Sequence, residues 1–188
     1  MSAKILSYVT FIYGFAVILY LSAWIFKKPL ASRLGSGATA LAALGTLTGI
    51  LLRWVESHQM GIGHAPLSNL YESLVFLSLC VALISLFVGI KYKLNIIGIV
   101  ASPIPFLAMA YASLPKVSSE IQPLIPALQS NWLIAHVMTC FVGYAAFAVA
   151  FGISILFFFK SSGEDKTSAV ISLIPDLDTL DELTHQMV

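Results

Sequence analysis

Apolar residues in this chain come in long unbroken blocks closed by lysines, not in the short alternating stretches of a half-buried sheet. Five such blocks stand out, at 5–26, 35–55, 70–90, 94–114 and 132–159. Lys27 and Lys28 close the first, Lys91 and Lys93 the third, and Lys160 the fifth. Each reaches about 20 residues, and a helix of that length, rising ~1.5 Å per residue, crosses a ~30 Å hydrocarbon layer. The fifth block is longer, which predicts tilt or protrusion. The pattern therefore predicts an all-α, polytopic membrane bundle of about five transmembrane helices over 1–159, with a separate tail over 160–188. The first block is too long for the core of a signal peptide and no small-residue cleavage pattern follows it, so it reads as a retained helix.

The basic residues orient the bundle. Loops after the first, third and fifth blocks, with the tail, hold Lys27, Lys28, Arg33, Lys91, Lys93, Lys160 and Lys166, against Lys4, Arg53 and Lys116 on the other side. The first side is predicted to be cytoplasmic or its organellar equivalent, leaving the N-terminus outside. Two outer loops of substance follow, at 56–69 and 115–131. The second contains Pro115, Pro123 and Pro126, which argue against a long helix there.

Three local features refine this picture. Pro103 and Pro105 remove backbone donors from the fourth block and predict a kink, read as packing or as a widened cavity lined by freed carbonyls. Ala38, Ala42, Gly45 and Gly49 form a small-residue stripe for close helix approach. The tail is acidic, with Glu164, Asp165, Asp176, Asp178, Asp181 and Glu182, and its leucines at 173, 177, 180 and 183 predict a short amphipathic helix at the cytoplasmic interface. Thr179 and Glu182 have capping-box spacing at its start. The sequence stops at Val188 as that helix gets going, which points to a fragment or a split gene product.

Composition fits the membrane assignment: 59% of residues are hydrophobic and 10% charged, where soluble domains carry about 25% charge. A net charge of +1 gives no support for nucleic-acid binding. Cys80 and Cys140 lie in apolar runs and form no Cys-x-x-Cys pair, so disulfide, zinc and covalent haem-attachment sequences are unsupported. No block carries a charge near its centre, which argues against a proton pump or ion channel.

Candidate chemistry rests on histidine. His185 sits in the acidic tail, whereas His58, His64 and His136 all fall on the outer side. Imidazole ligates haem iron, relays protons and binds zinc. Trp132 precedes His136 by one helical turn and shares its face, as an interfacial tryptophan or as an aromatic wall for a flat porphyrin. Asn69 and Glu72 have the spacing of a helix cap, a job that could occupy Glu72 fully.

Two blocks carry a family resemblance. Gly63-His64-Ala65-Pro66-Leu67-Ser68-Asn69-Leu70-Tyr71-Glu72-Ser73-Leu74, preceded by Arg53-Trp54, resembles a signature of the CcsA/ResC family, the membrane subunits of the System II cytochrome c synthase. Leu128-Gln129-Ser130-Asn131-Trp132-Leu133-Ile134-Ala135-His136-Val137, with Gly143-Tyr144-Ala145-Ala146-Phe147, is similar to that family's segment around an outer-face haem-ligand histidine. Leu180-Asp181-Glu182-Leu183 resembles the linker that follows.

The resemblance implies an integral protein of the bacterial inner membrane or thylakoid that presents non-covalent haem b at its periplasmic or lumenal face for thioether attachment to apocytochrome c. It implies a ResB-type partner subunit and thiol-reducing proteins, with lipid around the bundle. It assigns His136 as an axial ligand of haem iron, Trp132 to haem packing, and His64 a weaker ligand candidacy. No catalytic side chain is assigned. The family's tryptophan-rich haem-binding segment and later histidines lie beyond the matched part, so the site within these residues is incomplete. A haem-free transporter or permease subunit, or an inactive fragment, are the alternatives that the residues alone leave open.

Overall fold

The computed structural model describes residues 1–94, 96–123, 130–162 and 175–187. They form α1 (Ser2–Ile25), α2 (Pro29–Gln59), α3 (Leu70–Lys91), α4 (Ile97–Ala101), α5 (Pro103–Ala112), α6 (Asn131–Ser162) and α7 (Leu177–Met187). Helices α1, α2, α3 and α6 are long and apolar enough to cross a membrane. The chain is an all-α integral membrane protein.

The predicted fourth span over 94–114 is a shorter, broken apolar helix, Ile97–Ala112. At ~1.5 Å per residue it reaches only about 24 Å. Pro103 and Pro105 cannot donate to the ladder, while Ser102 between the halves keeps helical angles (φ −65, ψ −29). The break is therefore one of hydrogen bonding more than direction. Ala101 and Ser102 are buried there, and Ser78 Oγ of α3 donates to the Pro105 carbonyl at 3.3 Å. Packing, the first of the two readings of the prolines, is what these contacts favour.

Helix α2 starts at Pro29, well before the predicted residue 35, because proline at a first helical position costs no hydrogen bond. It also runs past 55 to Gln59, so His58, expected in a loop, stands in the last helical turn. The outer loop predicted at 56–69 shrinks to 60–69.

The small-residue stripe does its expected work against α1. A Cβ added to Gly49 would lie 2.5 Å from Leu6 Cδ2, and one added to Gly45 would lie 2.7 Å from Val9 Cγ2. Hydrogen in place of a side chain is what lets the two helices meet. Between them the Tyr13 hydroxyl and Thr46 Oγ1 lie 3.1 Å apart, which satisfies two buried polar groups.

Two apolar clusters form the interior. One joins α1, α2, α3 and α5 around Leu6, Tyr13, Val75 and Met109. The other joins α3, α4, α6 and α7 around Val81, Ile97, Val149 and Ile153. Helix α3 contributes to both. Helix α7 begins at Leu177, before the predicted cap at Thr179, and buries Leu180 and Leu183 on the second cluster while Asp178, Asp181 and Glu182 are exposed. Leu173, Glu164, Asp165 and Lys166 lie outside the described residues.

These contacts define two ends of the bundle. At one end, the Met1 ammonium lies 2.7 Å from Glu56 Oε1 and Ser2 Oγ donates to Glu56 Oε2 at 2.5 Å, which ties the start of α1 to the end of α2. Near it, Phe76 of α3 meets Phe141 of α6 edge-on at 5.8 Å. At the opposite end, Lys160 Nζ donates to the Pro175 carbonyl at 2.6 Å, and Pro175 lines a cavity with Lys27, Lys28 and Lys93.

Candidate functional site

The end that holds His136 is built on a helix cap. Asn69 Oδ1 accepts from the Glu72 amide at 2.9 Å, which stops the exposed amides at the start of α3 from going unpaired. The Glu72 carboxylate reaches back one residue further than a standard box: Oε2 accepts from the Ser68 amide at 2.8 Å and its hydroxyl at 2.7 Å. Capping does not exhaust it. Glu72 Oε1 also lies 2.7 Å from Arg53 Nε of α2, in an ion pair whose members are 2% and 3% exposed. The Arg53 guanidinium lies 5.0 Å from the centre of the Tyr71 ring.

This pair holds a second loop. Arg53 Nη2 and Asn69 Nδ2 both donate to the Glu120 carbonyl at 3.2 Å. His64 adds a third tie. It is buried, and its Nε2 lies 2.8 Å from the Gln122 carbonyl while Nδ1 lies 2.8 Å from the Ala65 carbonyl. Its amide donates to Ser57 Oγ at 3.2 Å. Carbonyl oxygens only accept, and both ring nitrogens are turned toward protein carbonyls. As placed, His64 joins the segment before α3 to the segment before α6.

His136 differs in every respect. It occupies the second turn of α6, exposed, with Trp132 one turn earlier and 85% exposed. Its described polar neighbour is Cys140 Sγ, 3.5 Å from Nε2 and 3.9 Å from Nδ1, a weak thiol contact. Among the described residues, neither imidazole nitrogen is held by a strong hydrogen bond. The donor chemistry fits one axial position of haem iron, with an aromatic ring a turn away. The described residues contain no group of three or more His, Cys, Asp or Glu able to hold a metal ion. Leu128 and Gln129 of the second sequence block lie outside the described residues.

A similar pair exists on α2. His58 Nδ1 lies 2.9 Å from the Trp54 carbonyl, and the two rings are 6.2 Å apart beside an open hollow of about 520 Å³. His64 and His136 share no hydrogen bond or ring contact among the described residues. Sequence reasoning placed Arg53 and Glu72 in the same family blocks but missed their pairing. No local signal announced it, since an arginine near the end of a membrane helix can equally extend its charge to the interface.

Fold and site together define a helical membrane protein that exposes an uncommitted imidazole and a tryptophan at one end, over a scaffold of buried ion pair and cap. Comparison makes the class specific. A family model described as "Cytochrome C assembly protein" matches residues 67–188, more than half of the chain, and the chain belongs to that family. It is 38% identical over 133 residues to the cytochrome c biogenesis protein CcsA of Chlorella vulgaris, covering 70% of this chain and 41% of that protein. It is 40% identical over 134 residues to CcsA of Porphyra purpurea (69% and 42%) and 38% identical over 148 residues to CcsA of a Synechocystis strain (77% and 42%). The chain thus spans about two-fifths of the length of these curated relatives.

Proposed function

We propose that this chain is the part of a cytochrome c assembly protein that holds haem by its iron at the outer membrane face, with His136 as one axial ligand. The observation that carries this is the uncommitted, exposed imidazole near the start of α6, inside the region that matches the family. Haem is substrate here, and apocytochrome c is the other reactant. Each thioether forms when a thiol S–H adds across a haem vinyl group, a step that needs no oxidant.

What the protein supplies is position. His136 fixes the iron, and Trp132 offers an aromatic face on the same side of the helix, so that the vinyl edge is left open to the incoming thiols. The ties of Arg53, Asn69 and His64 to the Glu120 and Gln122 carbonyls hold the segment that leads into α6, which makes them positioning residues. Positive charge on the side of Lys27, Lys93 and Lys160 supports a periplasmic or lumenal position for His136. A second axial imidazole would come from outside the described residues, and a ResB-type subunit and thiol-reducing proteins complete the assembly.

The test is titration of the detergent-purified chain with haemin. Wild type is expected to give a Soret band shifted from that of free haemin, and His136→Gly to lose it and regain it with added imidazole. Equal spectra for wild type and His136→Gly would end the proposal.

A further inference from the structure

At the end of the bundle remote from His136, the α1–α2 turn and the start of α4 border an open cavity of about 290 Å³. Tyr20, Ile96 and Ile99 give it apolar wall, and Lys27, Lys28 and Lys93 give it charge. A neighbouring hollow of about 340 Å³ shares Tyr20 and Lys93 and adds Arg33. Among the described residues, neither is lined by an acidic side chain, and none of the three lysines has an ion-pair partner.

Lysines beside an interfacial tryptophan are ordinary at a membrane boundary, where they extend their charge into water. Four facts go beyond that. Ser32 is 5% exposed and lines the cavity, yet its hydroxyl has no hydrogen-bond partner among the described residues. The indole Nε1 of Trp24, in the same wall, is also buried and unpartnered. Buried donors are normally satisfied, so two at one cavity indicate a missing acceptor. The first turn of α2, which borders the cavity at Pro29 and Ser32, has no side-chain cap and no acidic residue, so its positive end is also unanswered. Lys27 and Lys93 adopt left-handed backbone angles (φ 52 and 55), an unusual conformation for residues with a Cβ.

We infer that this cavity binds the phosphate headgroup of an anionic membrane lipid. The lysines and the start of α2 would meet its charge, Ser32 and Trp24 would donate to its oxygens, and its glycerol and upper acyl carbons would lie along Tyr20, Ile96 and Ile99. The size is at the small end of the ~300–1,000 Å³ that drug-sized ligands occupy, which suits a headgroup and not a whole macrocycle.

Native mass spectrometry of the detergent-purified chain with phosphatidylglycerol and phosphatidylcholine tests this. Phosphatidylglycerol is expected to be retained preferentially. The triple variant Lys27→Gln, Lys28→Gln, Lys93→Gln is expected to weaken retention about a hundredfold, from the usual worth of three lysines near an anionic surface. Lys91→Gln, whose ammonium lies over the Phe87 and Tyr92 rings, should leave it unchanged. Should the triple variant fail to fold, a chain with Trp54→Phe and Trp132→Phe reports through Trp24. Brominated phosphatidylglycerol should then quench it more than brominated phosphatidylcholine does. Equal retention or quenching by the two lipids, or undiminished retention in a folded triple variant, would overturn the inference. So would displacement of the lipid by inorganic phosphate alone, which would make the ligand a free anion, or by iron-free protoporphyrin, which would make it a carboxylate-bearing ring.

Discussion

His64 and His136 stand at the same end of the bundle in opposite circumstances. The first is buried, with carbonyls opposite both ring nitrogens. The second is exposed, with one weak thiol neighbour. The segment around His64 is the denser run of distinctive residues, yet its polar groups are spent on each other: Asn69 caps α3, Glu72 answers both Ser68 and Arg53, and His64 ties two loops. Around His136 little is spent, and that is what leaves it able to take a ligand. A distinctive motif marks where a structure is over-determined, and ligand chemistry can sit one element away.

The comparison breaks hardest if the buried scaffold is the chemical part. Arg53→Met would leave the Glu72 carboxylate buried without its partner, a loss of about 3–5 kcal/mol by the usual cost of orphaning a buried charge. Thermal unfolding in detergent should show it. Arg53→Met with Glu72→Met should recover most of that loss, since an apolar pair of similar volume often replaces a buried ion pair without penalty. A single variant that unfolds like wild type but no longer takes up haemin would move the chemistry onto the scaffold.

Much of this architecture was readable in advance. The long apolar blocks at 5–26, 70–90 and 132–159 become α1, α3 and α6 because uninterrupted hydrophobicity admits few other structures in lipid. Gly45 and Gly49 announced the approach of α1, and Asn69 the cap of α3. What escaped was set by distant pairing. Nothing local says that α2 continues past residue 55, because its extra turns are held by Arg53, Glu56 and Ser57 bonding to Glu72, Ser2 and His64. The role of His64 was hidden for the same reason, since one of its partners is a backbone carbonyl in the loop before α6. A ligand role for His136 could be proposed from its place in a sequence block, but its exposure could not be read there.

A smaller effect sharpens the contrast from the loop side. His64→Ala removes the tie to Gln122 and leaves a buried carbonyl without its donor, which should cost about 1–3 kcal/mol. Hydrogen exchange should quicken over 118–123, where the Glu120 and Gln122 carbonyls are held, while the haemin-bound spectrum keeps its ligand signature. A changed axial-ligand spectrum in this variant would show that His64 reaches iron after all.

His136→Ala should give the reverse pattern. As an exposed helical residue without strong bonds, it is expected to change stability by no more than about 0.5 kcal/mol. Its haemin spectrum should nevertheless lose the imidazole signature. A large fall in melting temperature would instead mean that the imidazole is structural, and the two histidines would no longer differ in kind.

The finest test concerns Trp132, whose ring is 85% exposed and so contributes little to folding. If it lies against the porphyrin, Trp132→Ala should weaken haemin binding about two- to thirteenfold, the worth of ~0.5–1.5 kcal/mol for an aromatic contact, and Trp132→Phe should restore most of it. If it is only an interfacial anchor, both variants should bind haemin as wild type does, because anchoring acts on the helix and not on the ligand. The spectrum adds a second separation to affinity. Stacking alters the Soret band without altering the axial ligand, so a variant that shifts the band yet keeps the imidazole signature assigns the two side chains separate parts in one site.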